Sequence, residues 1–362
     1  MKIARATLGA TAFAIWSASA HAVNPELCSA AQPTECLDGV SASATSLATL
    51  RISLAKQPEA RDEEKKKQKQ ARFQPIAVAS AEKVSALLSE DASSGWAAWA
   101  SYGKSSYGSR SSVTPSNATL HSLRLGADRL LRGRYSLGAA VAAERLDVTT
   151  RFNGGAEDGD SIMLIPYFTI LASDALSVDF NAGLGNVSER QNRIDPVSVP
   201  GAPAILTSSY DARRRFHSVT VNGMREIGNW VLGGRIGYID SRENQDGYTE
   251  RGGPSARTVR DRAVKLRQVL LGADAAYRLR GNFEVYGSGL HRRDITLDDG
   301  GGAGLPAAPG GSGPGDRTQW DWTLGLRFYG SRGMTLAAEW MKTTGRELFV
   351  HRTVNLLARF DY

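Results

Sequence analysis

Few side chains in this sequence have both the type and the spacing that catalysis requires. Beyond residue 22 the histidines are His121, His217, His291 and His351, and the segment HRRD places Asp294 three residues after His291. A histidine oriented by a carboxylate can act as the general base that activates a hydroxyl nucleophile. Residues three apart on a β-strand, however, point to opposite faces of the strand. The spacing therefore argues against a catalytic pair, and we expect a protein that is not an enzyme.

The motifs that mark nucleophile and phosphate sites do not occur in this sequence. It contains no G-x-S-x-G elbow and no G-x-x-x-x-G-K-[ST] loop. Its glycine-rich stretch GGGAGLPAAPGGSGPG lacks the lysine and the following helix that phosphate binding requires. The two cysteines, Cys28 and Cys36, have no further ligands at zinc-binding spacing, so we expect a small disulfide loop between them. The sequence predicts no catalytic residue, no cofactor and no metal site.

Many charged residues in the larger, C-terminal part of the sequence lie at alternate positions of apolar segments. In QWDWTLGLRFY, Trp322 and Leu324 share one parity, and Asp321 and Arg327 share the other. The same period of two runs through LSVDFNAGLG, WVLGGRIGYI, MTLAAEWM and the C-terminal VNLLARFDY. A period of two is typical of a strand with one apolar face, and it predicts about twelve strands after residue 94.

The connections between these strands indicate the class of protein. Short connections near 132–133, 173–174, 228–229, 281–282 and 331–332 alternate with long ones at 106–120, 149–161, 190–214, 241–261 and 297–317, followed by a tight one at 344–345. Beyond the N-terminus no apolar run reaches the roughly 18 residues of a membrane-spanning helix, whereas a barrel strand needs only about ten residues with one apolar face. We therefore predict an all-β, transmembrane antiparallel barrel with both chain ends in the periplasm.

If the apolar faces look outward to lipid, the opposite faces line the inside of the barrel. The charged residues of this inner parity are Arg124, Asp128, Glu144, Asp179, Arg235, Asp274, Glu284, Asp321, Arg327, Glu339 and Arg359. Charges held away from bulk water are stable when they are paired or hydrated. We expect either a hydrated, conducting pore with ion-paired walls, or charges that only brace the barrel and its contents.

The N-terminal quarter of the sequence has a different character. Residues 1–22 combine two basic residues, an apolar stretch and a small-x-small site before Val23, which predicts a cleaved signal peptide. Residues 23–75 are charged and poor in apolar side chains, which predicts a flexible segment. Residues 76–94 carry apolar side chains at helical spacing. We interpret them as a short helix that precedes a barrel at residues 95–362.

Three segments carry a family resemblance: GWAAWASYG, in which Trp96 and Trp99 open the first strand, the hairpin LRLGADRLLRGRYSLGAAVAAER, and the terminal LARFDY. With them, residues 95–362 resemble the translocator (β) domain of the autotransporter family. The resemblance implies type V secretion through a twelve-stranded outer-membrane pore threaded by a helix, and residues 76–94 have the position of that helix. Autotransporters usually carry a passenger of hundreds of residues, whereas residues 23–75 form a short segment without repeats or enzyme motifs.

The last strand and the loop arginines indicate partners. Val354, Leu356, Phe360 and Tyr362 resemble the signal that the barrel-assembly machinery reads after delivery by periplasmic chaperones, or they merely face lipid. Arginines of the long connections are predicted to bind lipopolysaccharide phosphates, or to be solvated charges; they are Arg213, Arg214, Arg215, Arg257, Arg260 and Arg262. The net charge of +7 is scattered without a basic helical face, so we expect no nucleic-acid partner.

These observations leave three functions open for a monomeric barrel in the Gram-negative outer membrane. The first is a translocator that anchors or exports the short segment 23–75 through its pore. The second is a passive, porin-like diffusion channel. The third is a surface adhesin that binds a partner through its long loops.

Overall fold

The structure of the chain is a computed structural model that describes residues 95–109, 116–132, 134–151, 154–173, 175–197, 203–279, 282–298, 317–330, 334–345 and 349–361. Its strands are β1 (Trp96–Ser109), β2 (Ser116–Leu131), β3 (Tyr135–Thr150), β4 (Gly155–Ser173), β5 (Leu176–Ile194), β6 (Ile205–Ile227), β7 (Trp230–Gln245), β8 (Tyr248–Thr249), β9 (Thr258–Val259), β10 (Arg262–Arg278), β11 (Phe283–Asp298), β12 (Thr318–Tyr329), β13 (Met334–Thr344) and β14 (Phe349–Asp361). None of the described residues belongs to a helix of the length and apolarity that a membrane span requires.

Twelve of the strands form one closed antiparallel barrel. Each barrel strand pairs with the next one in the sequence, β10 follows β7, and β14 pairs back with β1 to close the ring. The pair β8–β9 is a separate two-stranded sheet within the connection from β7 to β10. The predicted all-β barrel of about twelve strands is confirmed, whereas the signal peptide, the charged segment and the helix predicted at 76–94 lie outside the described residues.

The two faces of the barrel wall differ in chemistry. On β12, Trp322 and Leu324 are 49% and 58% exposed, whereas Asp321 and Arg327 are each 2% exposed. The other strands repeat the outward stripe of large apolar side chains. Their inward side chains are largely polar or small, but two apolar clusters also lie inside: Met163, Ile165 and Phe216 belong to one, and Ile239, Leu270 and Leu290 form the other. Such a stripe of exposed apolar residues around a closed barrel is typical of a surface that faces lipid.

Strands β4, β5 and β6 are much longer than a membrane span, with 19, 19 and 23 residues. About 9–11 residues of a tilted strand cross the hydrocarbon layer. The short turns of these strands lie at the same end of the barrel as residues 95 and 361. The extra length therefore projects at the opposite end, which we call the outer end. The barrel therefore carries a raised wall on one side of its outer mouth.

The length of β4, β5 and β6 shows that two of the predicted long connections are in fact mostly strand. Only residues 151–154 and 195–204 separate the strands, so the boundaries 149–161 and 190–214 were wrong. Above the apolar band the outward side chains become polar, as at Arg190 and Arg213, while Val187 and Ala212 are buried inside. The alternation of apolar and polar residues therefore weakens beyond the apolar band, and this hides the strand in the sequence.

The connection between β7 and β10, residues 246–261, folds against the raised wall. Thr207 and Arg251 exchange two backbone hydrogen bonds of 2.8 and 2.9 Å. The ring of Tyr248 stacks on that of Tyr210 with centroids 5.1 Å apart. This connection thus covers part of β6 that β7 leaves unpaired, since the β6–β7 ladder reaches only Ala212.

Candidate functional site: the inner wall and the closing seam

The charged residues predicted for the lumen all lie on the inner parity of the barrel strands. Less than a tenth of the surface is exposed for Arg124, Asp128, Glu144, Asp179, Arg235, Glu284, Asp321, Arg327 and Arg359, and Asp274 and Glu339 are partly exposed. Several form ion pairs with one another or with neighbouring strands, as for Arg235 and Asp274 at 3.1 Å. A wall of this kind is polar without presenting a single sign of charge.

An ion pair crosses the seam where the barrel closes. The Nη1 and Nη2 atoms of Arg359 on β14 lie 3.0 and 3.1 Å from the two carboxylate oxygens of Asp128 on β2. Between them stands β1, whose Ala97 is opposite both Asp361 and Asp128. The small side chain of Ala97 lets the guanidinium pass over β1. We call this bidentate contact the seam clamp, because it ties the last strand to the second one.

Two aromatic side chains extend the seam clamp along the inner wall. The Oη atom of Tyr167 donates to Oδ2 of Asp128 over 3.1 Å, and Nε1 of Trp99 donates to Oη of Tyr167 over 2.7 Å. Glycines leave room for both rings: a Cβ at Gly138 would lie 2.2 Å from Tyr167, and one at Gly126 would lie 2.4 Å from Trp99. The rings therefore lie flat against β2 and β3, and they connect β1 to β4.

A second network lies on β11, β12 and β13, next to the last strand of the barrel. Arg327 is ion-paired with Glu284 on the adjacent strand, and its guanidinium lies 4.5 Å from the ring centroid of Tyr286. The Oη atom of Tyr286 donates to Oε1 of Glu339 over 2.7 Å. A Cβ at Gly325 would meet this ring at 2.3 Å, so the ring lies over a glycine here as well.

Arg214 lies at the centre of a third network near the outer end of the lumen. Its Nη2 atom is 2.6 Å from Oε2 of Glu243, and its Nη1 atom is 3.6 Å from Oε2 of Glu144. Arg124 approaches the other oxygen of Glu144 at 3.8 Å. Two buried carboxylates, Glu157 and Glu189, extend the acidic side of the network.

Two arginines that the sequence assigned to lipopolysaccharide binding belong to this inner network. Arg214 is only 3% exposed. The Nε atom of Arg262 donates to Oε1 of Gln245 over 2.6 Å, and Gln245 in turn donates to Glu243 over 2.7 Å. Both residues lie in strands and not in loops, and in a strand successive side chains alternate between the inner and the outer face. The prediction was wrong for these two residues.

The histidine with a nearby carboxylate does not form a catalytic pair. His291 lies on the outer face, where its ring packs at 5.0 Å from that of Trp320. Asp294 is buried on the inner face and accepts a hydrogen bond of 2.9 Å from Gln268. Within the described parts of the chain, no group of three or more His, Cys, Asp or Glu residues is placed to hold a metal ion.

Side-chain contacts fix the β7–β10 connection to the raised wall. Arg193 forms two hydrogen bonds of 2.9 and 2.8 Å with the carboxylate of Glu250. Asp195 accepts from Oγ of Ser255 over 2.6 Å and from its backbone N–H over 3.0 Å. Hydrogen bonds from the Ser255 side chain and from the backbone of Ser255 and Val197 lower the pKa of Asp195.

We predict that Asp195→Asn loosens this connection. A carboxylate with a lowered pKa stabilises the folded contact fully above its unfolded pKa of about 3.9, and the contribution is lost as the pH falls through the lowered value. The amide therefore mimics the acid state at neutral pH. Trypsin is expected to cleave at Arg251 or Arg257 faster in the variant, with Asp147→Asn as the control. Equal cleavage in both proteins would contradict the prediction.

The outward-facing side chains of β14 agree with the alternative that the C-terminal residues face lipid. Val354, Leu356 and Phe360 are exposed, and Leu336 and Trp340 of the adjacent β13 are exposed beside them. Tyr362 lies outside the described residues, as do Cys28 and Cys36 of the predicted disulfide. The role of these residues as an assembly signal stays a prediction.

Comparisons with known proteins agree with this architecture. The profile of the Autotransporter beta-domain family matches residues 96–340. The structure is similar to the translocator domain of autotransporter NalP from Neisseria meningitidis, with 13% identity, 77% of this chain and 92% of that chain covered, and a TM-score of 0.61. It is also similar to the beta domain of the Bordetella autotransporter BrkA, with 14% identity, 74% and 100% coverage, and a TM-score of 0.59.

At these identities the two structures show a shared fold. Comparison with curated protein sequences gave no match. The family profile, however, spans more than half of the chain, from the first tryptophan of β1 into β13. The chain therefore belongs to the Autotransporter beta-domain family, whose members form barrels in the outer membrane.

Proposed function

We propose that this barrel exports or anchors its own N-terminal segment, residues 23–75, and that it has no enzymatic activity. The observation that carries the proposal is the closed twelve-stranded barrel of this family, whose inner face holds ion-paired charges. A polar wall offers hydrogen-bond partners to an extended chain and does not require it to lose hydration. The stretch EARDEEKKKQKQAR within residues 23–75 is a charged chain of the kind that suits such a wall.

The proposal includes the route by which the protein reaches its membrane. Residues 1–22 direct export and are removed, and periplasmic chaperones then deliver the chain to the barrel-assembly machinery. Val354, Leu356 and Phe360 on β14, together with the following Tyr362, present the C-terminal signal. The exposed apolar side chains of the first three on the outer face support this role, since a binding partner can reach them before lipid covers them.

Surface labelling on intact cells tests the export step. One epitope is inserted between Cys36 and Leu50, a second at Gly310 in the connection from β11 to β12, and a third in the β6–β7 turn after Gly228. The first two are expected to bind antibody without permeabilisation, and the third only after it. The second and third epitopes serve as controls for the orientation of the barrel.

The result at the N-terminal epitope decides between the candidate functions. If Gly310 is labelled and the N-terminal epitope is not, the segment has not crossed the membrane, and the export proposal fails. A plugged or gated channel would then explain the barrel better. Conductance of the purified barrel with and without residues 23–94 would measure that alternative directly.

A further inference from the structure

The outward side chains of β13, β14 and β1 change from apolar to basic towards the outer end of the barrel. Trp340, Val354 and Tyr102 end the apolar stripe on these three strands, and they are 45%, 51% and 42% exposed. Two residues further outward, the same face of each strand carries a cation: Lys342, Arg352 and Lys104. We call these three residues the seam patch, because they lie on both sides of the junction between β14 and β1.

The seam patch brings like charges together. Lys342 on β13 is paired directly with Arg352 on β14. Arg352 is opposite Ser106 on β1, and Lys104 precedes Ser106 by two residues, so Lys104 and Arg352 are diagonal neighbours. Such neighbours are about 7–8 Å apart, within reach of long side chains, and cations directly opposite each other destabilise a sheet. The patch therefore costs folding free energy unless an anion lies between its side chains.

The described parts of the chain do not supply that anion. None of the three patch residues forms an ion pair or a side-chain hydrogen bond with a described residue. The outward residues paired with the patch on β12, β14, β1 and β2 carry no negative charge; they are Trp322, Val354, Ser106 and His121. Asp147, an outward carboxylate on β3, is two strands away from Lys104 and lies 3.7 Å from Arg145.

We propose that the seam patch binds the phosphate groups of lipopolysaccharide in the outer leaflet. The patch lies on the outside of the barrel, just beyond the apolar stripe at the outer end, where the head groups of that leaflet are. Arg352 and Lys104 are exposed and Lys342 is partly exposed, so all three can be reached. A guanidinium group binds phosphate oxygens with paired, charge-assisted hydrogen bonds, and each ammonium group adds a point charge. Acyl chains of the same lipid would pack on the rings of Trp340 and Tyr102 below.

A lipid bound at the seam patch would hold the closing strands together from outside. Lys342 and Arg352 belong to the last two strands, and Lys104 belongs to the first. One head group that contacts all three bridges the β14–β1 junction, which the seam clamp crosses on the inner face. Binding should therefore stabilise the closed barrel. The site rests on the outer-membrane location of the barrel and is independent of export through its pore.

Lipid titration of the purified full-length protein in phosphatidylcholine nanodiscs tests the proposal. The variant neutralises the seam patch by Lys104→Gln, Lys342→Gln and Arg352→Gln. The control removes the same charge from three outward arginines that face Asp147, Asp158 and Asp240. Its changes are Arg145→Gln, Arg190→Gln and Arg267→Gln. The unfolding midpoint is followed while phosphorylated lipopolysaccharide, its dephosphorylated form or phosphatidylglycerol is added.

The wild type and the control are expected to be stabilised by phosphorylated lipopolysaccharide, and the variant to bind it about tenfold or more weakly. Unchanged affinity in the variant or an equal loss in the control would overturn the proposal. Equal binding of phosphatidylglycerol or of the dephosphorylated form by the wild type would overturn it as well. Surface labelling of the N-terminal epitope should remain normal in the variant, which separates this site from the export function.

A further variant tests whether the chain itself provides the counter-ion. Glu347 is the one acidic residue of the sequence between β13 and β14, and it lies outside the described residues. Without lipopolysaccharide, Glu347→Gln is expected to unfold at the same temperature as the wild type, and the neutralised patch at the same temperature or higher, because its like-charge pair is gone. A lower midpoint in Glu347→Gln, with weaker dependence on lipopolysaccharide in the wild type than in this variant, would assign the counter-ion to Glu347 and contradict the proposal.

Discussion

Replacing Asp128 by alanine is expected to lower the unfolding midpoint of the barrel by on the order of 10 °C. The variant leaves the guanidinium of Arg359 buried without its bidentate partner, and it removes the acceptor of Tyr167. Breaking a buried ion pair costs about 3–5 kcal/mol. Arg359 keeps its contact of 2.8 Å with Asp361, so we expect the lower end of this range. For a chain of this size, a loss of 1 kcal/mol in the free energy of unfolding lowers the unfolding midpoint by about 2–4 °C.

Folded and unfolded barrels migrate differently in detergent gels. The change is therefore measured as the temperature at which the folded band disappears. The matched control is Asp147→Ala, which removes a carboxylate that is about half exposed and 3.7 Å from Arg145. An exposed pair contributes about 0–1 kcal/mol, so the control should remain close to wild type. If both variants unfold at the same temperature, the seam clamp does not stabilise closure.

Replacing Arg214 by methionine is expected to destabilise the outer half of the lumen by about 3–5 kcal/mol. The change removes the cation between Glu243 and Glu144 and leaves both carboxylates buried. Glu144 retains Arg124 at 3.8 Å, whereas Glu243 retains the amide of Gln245. We therefore expect less folded barrel in the outer membrane and a lower unfolding midpoint.

Two further variants separate the loss of this ion pair from a general effect of methionine. Arg213→Met changes the preceding residue, whose side chain is exposed on the outer face, and it should change the midpoint little. The double variant Arg214→Met, Glu243→Gln should recover part of the loss, because it removes a charge that would otherwise be buried without a partner. If the double variant is no more stable than Arg214→Met alone, the unpaired carboxylate is not the cause.

Alternation of side chains made the barrel predictable from the sequence. In the membrane, lipid selects large apolar residues at every second position, so Trp322 and Leu324 indicate the outer face and Asp321 the inner face. The same alternation predicts that Asp128, Arg327 and Arg359 point inward, and all three are buried on the inner face. Above the lipid, water covers the outer face, and the alternation weakens. For this reason β4, β5 and β6 continue through segments that resemble polar loops.

The contacts between strands could not be predicted, because they depend on register. Tyr167 occupies the space above Gly138, and nothing in either residue's neighbourhood indicates that they are opposite each other. Arg214 and Arg215 are adjacent in the sequence, yet one is buried with Glu243 and the other is exposed on the outer face. Adjacent residues of a strand point to opposite faces, but the sequence predicted a loop here, and the pairing of β6 with β7 shows that both residues belong to a strand.

The seam clamp also bears on the order of events during assembly. Its two residues are 231 positions apart in the sequence, and they meet only after β14 has docked on β1. Contacts of such large sequence separation form late, because the entropy of ordering the intervening chain is lost before they contribute. An open sheet of eleven or fewer strands lacks this contact entirely. The clamp should therefore slow the reopening of a finished barrel much more than it speeds closure. Its main contribution is then to kinetic stability.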